Sequence, residues 1–197
     1  VGRGGMGAVY EATQLDLGRR VAVKVLLEAD PKAVARFAQE ARAIAALRSP
    51  HVVTLHDFHP QSEIGPLIVL ELLEGESLRH RLVRAGRLPV ETAVHVARAL
   101  LSALGEAHAL GLVHRDVKPA NVFLSRAEPP AVKLLDFGIA RLHGEDSVRT
   151  TTGTVLGTPA YLAPEQVFGN TVDARTDVHG VGLCLFEMLT GRRAFEG

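Results

Sequence analysis

The chain has 197 residues, 47% hydrophobic and 22% charged, with 19 Gly and 10 Pro, which is the composition of a globular domain and excludes collagen, coiled coil and low-complexity disorder. Its 22 basic side chains balance its 22 acidic ones, so no global field favours nucleic acid or anionic lipid, and the sequence shows no local patch for either. A single cysteine, Cys184, excludes a disulfide framework and a cysteine-rich metal site and fits a reducing compartment such as the cytoplasm.

In chain order, residues 9–13 and 20–27 are apolar-rich and extended, with Leu15, Asp16, Leu17 and Gly18 as turn material between them. This predicts a hairpin. From Pro31 to Leu47 the apolar period becomes helical, with Phe37, Ala41, Ile44, Ala45 and Leu47 on one side. Strands are expected at 52–58 and 67–72, and from Gly75 an Arg-rich, more helical region begins. Leu88-Pro89, with Glu91 in the first turn, opens a long helix that ends near Gly111. Two short strands, 122–124 and 132–135, flank the Pro129-Pro130 turn. Residues 139–176 carry little periodicity, the mark of a functional or disordered loop. Residues 177–190 are apolar nearly all round, which predicts a buried helix closed by Gly191. The most apolar run, 178–186, is far below the roughly 20 residues of a bilayer span. The chain opens on Val1 inside a glycine-rich run and stops at Gly197 just after the last helix, so it reads as a piece cut at both ends.

The residues that carry chemistry form an ordered set. Gly2, Gly4 and Gly7 make G-x-G-x-x-G, in which glycine lets backbone amides approach phosphates. A dinucleotide fold would open a helix after it, whereas Ala8-Val9-Tyr10 continues as a strand. Only four cations, Lys24, Lys32, Lys118 and Lys133, are lysine in an otherwise Arg-based chain, so a Lys inside a motif is a candidate point charge. Strand alternation puts Lys24 on one face with Ala22, where it needs an anionic partner. On local spacing Glu40 reads as a surface partner of Arg36; beside Lys24 it reads as the partner of that lysine. His114-Arg115-Asp116, Lys118 and Asn121 precede a strand, and Asp136-Phe137-Gly138 follows another. A carboxylate to take a hydroxyl proton, an Asn and a second Asp as oxygen ligands, and a Lys as counter-charge are what phosphoryl transfer with Mg²⁺ requires.

On these motifs, with Gly-Thr-Pro-Ala-Tyr-Leu-Ala-Pro-Glu at 157–165 and Asp177 opening the last helix, the chain resembles a eukaryotic-like (Hanks-type) serine/threonine protein kinase of bacterial type over essentially its whole length. The resemblance implies an α+β, two-lobed protein kinase fold truncated at both ends: a β-rich N-lobe and hinge at 1–73 and a mainly helical, incomplete C-lobe at 74–197. It implies that Lys24 holds the ATP phosphates and Glu40 holds Lys24. Asp116 takes or orients the hydroxyl proton, Lys118 neutralises the transferring group, and Asn121 and Asp136 ligate Mg²⁺. Gly2, Gly4 and Gly7 cover the phosphates; Val9, Ala22 and Phe123 enclose the adenine, Leu70 is the gatekeeper, and the backbone of Glu71 and Leu73 forms the hinge. Lys118 and Thr158 mark a serine/threonine rather than a tyrosine acceptor.

The implied partners are protein substrates with Ser or Thr acceptors and a second copy for autophosphorylation, with no nucleic acid and with membrane attachment only through regions outside this chain. Arg115 suits a phosphate from the activation loop, where Ser147, Thr150, Thr151, Thr152 and Thr154 lie beside Arg141 and Arg149. The chain departs from the family at His179-Gly180, where an aromatic residue and Ser or Ala are usual, and at Phe123, bulkier than the usual aliphatic floor. The region that normally supplies an Arg for Glu165 is not in the chain. The alternative function is a pseudokinase or ATP-binding scaffold, against which Lys24, Asp116, Asn121 and Asp136 are all intact. A histidine metal module is a third reading, for which the nine histidines lack compact ligand spacing.

Overall fold

The computed structural model describes residues 2–4, 7–27, 30–136 and 159–195. Strands β1 (Gly2–Gly4), β2 (Gly7–Gln14) and β3 (Arg19–Leu26) run antiparallel, and β4 (Leu55–His59) and β5 (Leu67–Glu71) complete a five-stranded sheet of order β1-β2-β3-β5-β4. The expected hairpin is β2–β3, in register from Gly7 opposite Leu26 to Gln14 opposite Arg19. Helix α1 (Pro31–Ala46) starts where the Asp30 side chain accepts from the Lys32 N–H, with Pro31 in the first turn, where its missing donor costs nothing. Phe37 and Ala41 pack on Leu26 and Ile68 of the sheet, and the Phe37 and Phe58 rings meet at 6.2 Å. Ala43 and Ile44 instead join the core of the other lobe, so α1 is wedged between the lobes. Ala45, expected on the buried side, is exposed, and Ala43 takes its place.

The 52–58 strand is shorter than its pattern. It begins at Leu55, because Val52 lies opposite Leu134 in a β-bridge made by its two neighbours: Val53 N–H donates to Leu134 C=O at 3.1 Å, and Leu134 N–H to His51 C=O at 2.7 Å. An alternating apolar run does not say which sheet supplies its partner.

The second lobe holds a small sheet of order β6-β7-β8, from β6 (Gly75–Ser77), β7 (Val122–Ser125) and β8 (Val132–Leu134). The region from Gly75 is thus first a strand, opposite β7, before α2 (Leu78–Ala85) starts at the Ser77 cap. Helix α3 (Val90–Ala109) buries Ala93, Val96, Ala97, Leu100, Ala103, Leu104 and Ala107, and its small side chains let α5 (Ala174–Thr190) lie close against it. Between them in sequence come a 3-10 turn, Pro159–Tyr161, and the short α4 (Pro164–Val167). Helix α5 begins three residues before Asp177, at the Asp173 cap. Its apolar character is not matched by burial all round: Val178, Phe186 and Leu189 stay exposed along one stripe of the described structure. No helix among the described residues is long and apolar enough to cross a membrane.

Candidate active site

On β3 the pleat separates Val21 and Val25, both buried, from Ala22 and Lys24 on the opposite face. Lys24 Nζ donates to Glu40 Oε1 of α1 at 2.7 Å and to Asp136 Oδ1, just after β8, at 2.8 Å. The Lys24 and Glu40 side chains keep 19% and 13% of their surface, whereas that of Asp136 keeps 54%. Glu40 thus pairs with Lys24, as the motif reading expects. Burial alone would lower the Lys24 ammonium, but Asp136 and Glu40 outweigh it and raise it well above its ordinary value, so Lys24 is a permanent cation. For Asp136 the cost of desolvation is outweighed by Lys24, which holds this carboxyl below its ordinary range.

Gly2 and Gly4 lie on β1, opposite Val9 and Gly7. Gly7 has a second reason to be glycine, since a Cβ there would collide with the Val25 carbonyl on β3.

The loop after α3 is built around Asp116. Lys118 Nζ donates to Asp116 Oδ2 at 2.7 Å, and Asn121 Nδ2 donates to the Asp116 carbonyl at 2.8 Å and to Oδ2 at 3.0 Å. With its amide NH₂ so used, Asn121 leaves Oδ1 as the atom that could ligate a cation, and Asp136 offers a half-exposed carboxylate. Two such oxygens fit Mg²⁺, which takes few protein ligands and leaves the rest to phosphate and water.

His114 is fully buried. Its Nε2–H donates to the Leu135 carbonyl at 2.9 Å, and its Nδ1 accepts from the Asp116 N–H at 3.2 Å. This is a neutral tautomer, in keeping with burial lowering the imidazole against the pull of the Leu135 carbonyl and Asp177. Asp177, 1% exposed, accepts from the N–H groups of His114 and Arg115, each at 2.8 Å, and from His108 Nε2 at 2.7 Å. Arg115 has φ 67°.

The adenine-wall candidates divide between the lobes. Ala22 lies opposite Leu70 in the β3–β5 register, and Val9 sits on the neighbouring β2. Leu73 lies between β5 and β6, and Phe123 is on β7, opposite Ser77 and Lys133. All five are partly exposed. Glu71 does more than was expected of its backbone. Its N–H donates to Thr54 C=O at 3.0 Å, while its carboxylate accepts from the Thr54 N–H at 2.7 Å and from Lys133 Nζ at 2.6 Å. Burial would raise the Glu71 carboxyl, but the Lys133 and Thr54 bonds prevail and lower it. The only sequence signal for Lys133 was the scarcity of lysine; none pointed to His108.

Phe137, Gly138, Arg141, Ser147, Arg149, Thr150, Thr151, Thr152, Thr154 and Thr158 lie outside the described residues. On the far side of that segment the Tyr161 hydroxyl donates to the buried Glu187 of α5. Glu165 accepts from the Thr176 hydroxyl, which holds its carboxyl below the ordinary value. Gln166 Nε2 donates to the Arg115 carbonyl at 2.8 Å, and its Oε1 accepts from the Ala163 N–H at 3.0 Å. Beneath the loop Gly180 is closely packed: a Cβ there would lie 2.9 Å from Val117 Cβ and 3.0 Å from Val117 O. Among the described residues no group of three or more His, Cys, Asp and Glu could hold a metal, so the histidine module finds no cluster there.

Residues 1–197 match the Protein kinase domain family. The chain is 42% identical over 203 residues to the serine/threonine-protein kinase PknB of Mycobacterium leprae, covering 100% of itself and 32% of that protein. To the serine/threonine-protein kinase PknL of Mycobacterium tuberculosis (strain ATCC 25618 / H37Rv) it is 42% identical over 202 residues, covering 49% of that protein. The chain thus spans a third to a half of these relatives. A crystal structure of Rad53 in complex with AMP-PNP superposes with a TM-score of 0.81 at 28% identity, covering 100% of this chain and 48% of that one.

Proposed function

Because the chain belongs to the protein kinase domain family, we propose that it transfers the γ-phosphoryl group of ATP to Ser or Thr hydroxyls of proteins. The observation that carries this reading is Lys24, which pairs with Glu40 inside the first lobe and reaches Asp136 of the second, so that charged groups of both lobes meet at one ammonium. In that reading 1–73 and 74–197 are the two lobes, and the nucleotide lies between them. Gly2, Gly4 and Gly7 offer backbone amides to its phosphates, and Lys24 supplies a fixed positive charge. Val9, Ala22, Leu70, Leu73 and Phe123 enclose the base, which the Glu71 and Leu73 backbone meets at the hinge. Mg²⁺, held by Asn121 Oδ1 and Asp136, supplies neutralisation of phosphate charge.

The acceptor oxygen forms a bond to the γ-phosphorus as the bond to the β-phosphate oxygen breaks. ADP leaves, and the hydroxyl proton passes to Asp116. Lys118, 2.7 Å from the Asp116 carboxylate, is placed to share the negative charge of the transferring group. Most of the rate enhancement is then positioning and electrostatics. The complete set Lys24, Asp116, Asn121 and Asp136 favours catalysis over a scaffold role. We further assign the switch to autophosphorylation between two copies in the 137–158 segment. With ATP, Mg²⁺ and a Ser/Thr peptide, Asp116→Asn in the whole protein should keep nucleotide affinity and lose about 10²-fold or more in transfer, and Lys24→Met should impair transfer through lost phosphate positioning. Unchanged transfer in Asp116→Asn refutes the role of that residue.

A further inference from the structure

Arg115 is a non-glycine residue with a left-handed φ of 67°, a conformation strained for an L side chain that persists only where the surroundings enforce it. Its two backbone groups are held from different elements. The N–H donates to Asp177 Oδ1 of α5 at 2.8 Å, and the C=O accepts from Gln166 Nε2 of α4 at 2.8 Å. That carbonyl belongs to the peptide plane joining Arg115 to Asp116, whose N–H end donates to His114 Nδ1 at 3.2 Å. The plane that carries Asp116 is therefore tied at both edges, by His114 on one and Gln166 on the other.

The other atom of the same side-chain amide is also committed, since Gln166 Oε1 accepts from the Ala163 N–H at 3.0 Å. Ala163 follows the 3-10 turn at Pro159–Tyr161, which leads back from the segment 137–158. One planar group thus joins that segment's exit to the peptide behind Asp116. From this geometry we infer that Gln166 is a positioning residue: its Nε2–H sets the Arg115–Asp116 peptide, and hence the direction of the Asp116 carboxylate, while its Oε1 ties the neighbouring chain to the same point. The inference rests on the proposed role of Asp116.

Three variants in the whole protein separate the two ends of the amide. Gln166→Glu keeps an acceptor for Ala163 but loses the donor to Arg115; Gln166→Lys keeps a donor and loses the acceptor; Gln166→Met loses both. Positioning through the donor predicts that Gln166→Glu and Gln166→Met lose roughly tenfold in kcat with nucleotide KM nearly unchanged, while Gln166→Lys stays within about threefold of wild type. Amide hydrogen exchange across 114–117 should quicken in the first two and not in the third, with that of α3 unchanged. Should Gln166→Glu fail to fold, the Met and Lys variants alone make the comparison. Full kcat in the variants lacking the donor, or equal losses in all three, overturns the inference. Absence of transfer by the wild type would defeat the kinase reading instead, and the exchange at 114–117 would then decide the positioning role alone.

Discussion

His114 shows how a single side chain can set both geometry and pH response. Its buried neutral ring joins the Asp116 N–H to the Leu135 carbonyl, so the residue that precedes Asp136 and the residue proposed as the base share one imidazole. Because burial lowers the His114 pKa below its unfolded value, the unfolded chain binds the proton that the folded one refuses. The stability linked to this group is complete above an unfolded pKa of about 6.5 and is lost as pH falls toward the folded value. The same sign holds for Glu71, but its window lies lower, near the carboxylate range. Denaturant titrations of the whole protein between pH 7.5 and 5 should therefore show stability falling with acidity, with a smaller slope in His114→Phe. Equal slopes would mean that His114 titrates alike in both states.

At the scale of elements, α5 supports the loop bearing Asp116 by lying close against Val117 at Gly180, where the helix brings no side chain of its own. Gly180 faces Val117, and the added Cβ of Gly180→Ala would press on that residue's Cβ and carbonyl at 2.9 and 3.0 Å. Both are tighter than van der Waals contact, so the loop or the helix must move. We expect a loss of about 1–3 kcal/mol, typical of overpacking, and a fall in kcat, because Val117 lies between Asp116 and Lys118. Thermal unfolding with and without nucleotide, together with steady-state kinetics, checks this. An unchanged Tm would show that the two elements are not in fixed contact. The sequence marked Gly180 only as a departure from the family. Its periodicity located β2, β3, α1, α3 and α5 because long amphipathic or β-branched runs carry their period internally. It missed β6, three residues long, and misassigned Val52 and Val53, because pairing with a distant strand leaves no local mark.

Across the whole molecule, the residues of the candidate site were legible because the chemistry restricts their types and order, and the structure brings Lys24, Glu40 and Asp136 together as that order implies. What the sequence did not carry was the support: Asp177 with His108, Glu71 with Lys133, and Gln166 with Arg115 are separated by 69, 62 and 51 residues. Contacts of that range are products of the fold. In the proposed function they bear on control, because the backbone of Arg115 is fixed on both sides by Asp177 and Gln166, so its Cα–Cβ bond leaves the loop bearing Asp116 in a set direction. From that fixed origin a planar guanidinium fork suits a phosphate better than a lysine ammonium would. The Thr-rich stretch at 150–154 precedes the 159–161 turn, whose Tyr161 is anchored to Glu187. A phosphate of roughly −1.5 to −2 charge near Arg115 would join the segment before that anchor to the loop bearing Asp116. Autophosphorylation is therefore expected at Thr150 or Thr152 in the whole protein, absent from Asp116→Asn, with Thr150→Ala/Thr152→Ala losing activity and Arg115→Ala losing the gain that phosphorylation brings. Mass spectrometry of the active enzyme, paired with peptide-kinase assays before and after phosphatase treatment, tests this directly. Full activity in the double Thr variant, or a phosphatase-insensitive rate, would show that the loop is not the switch.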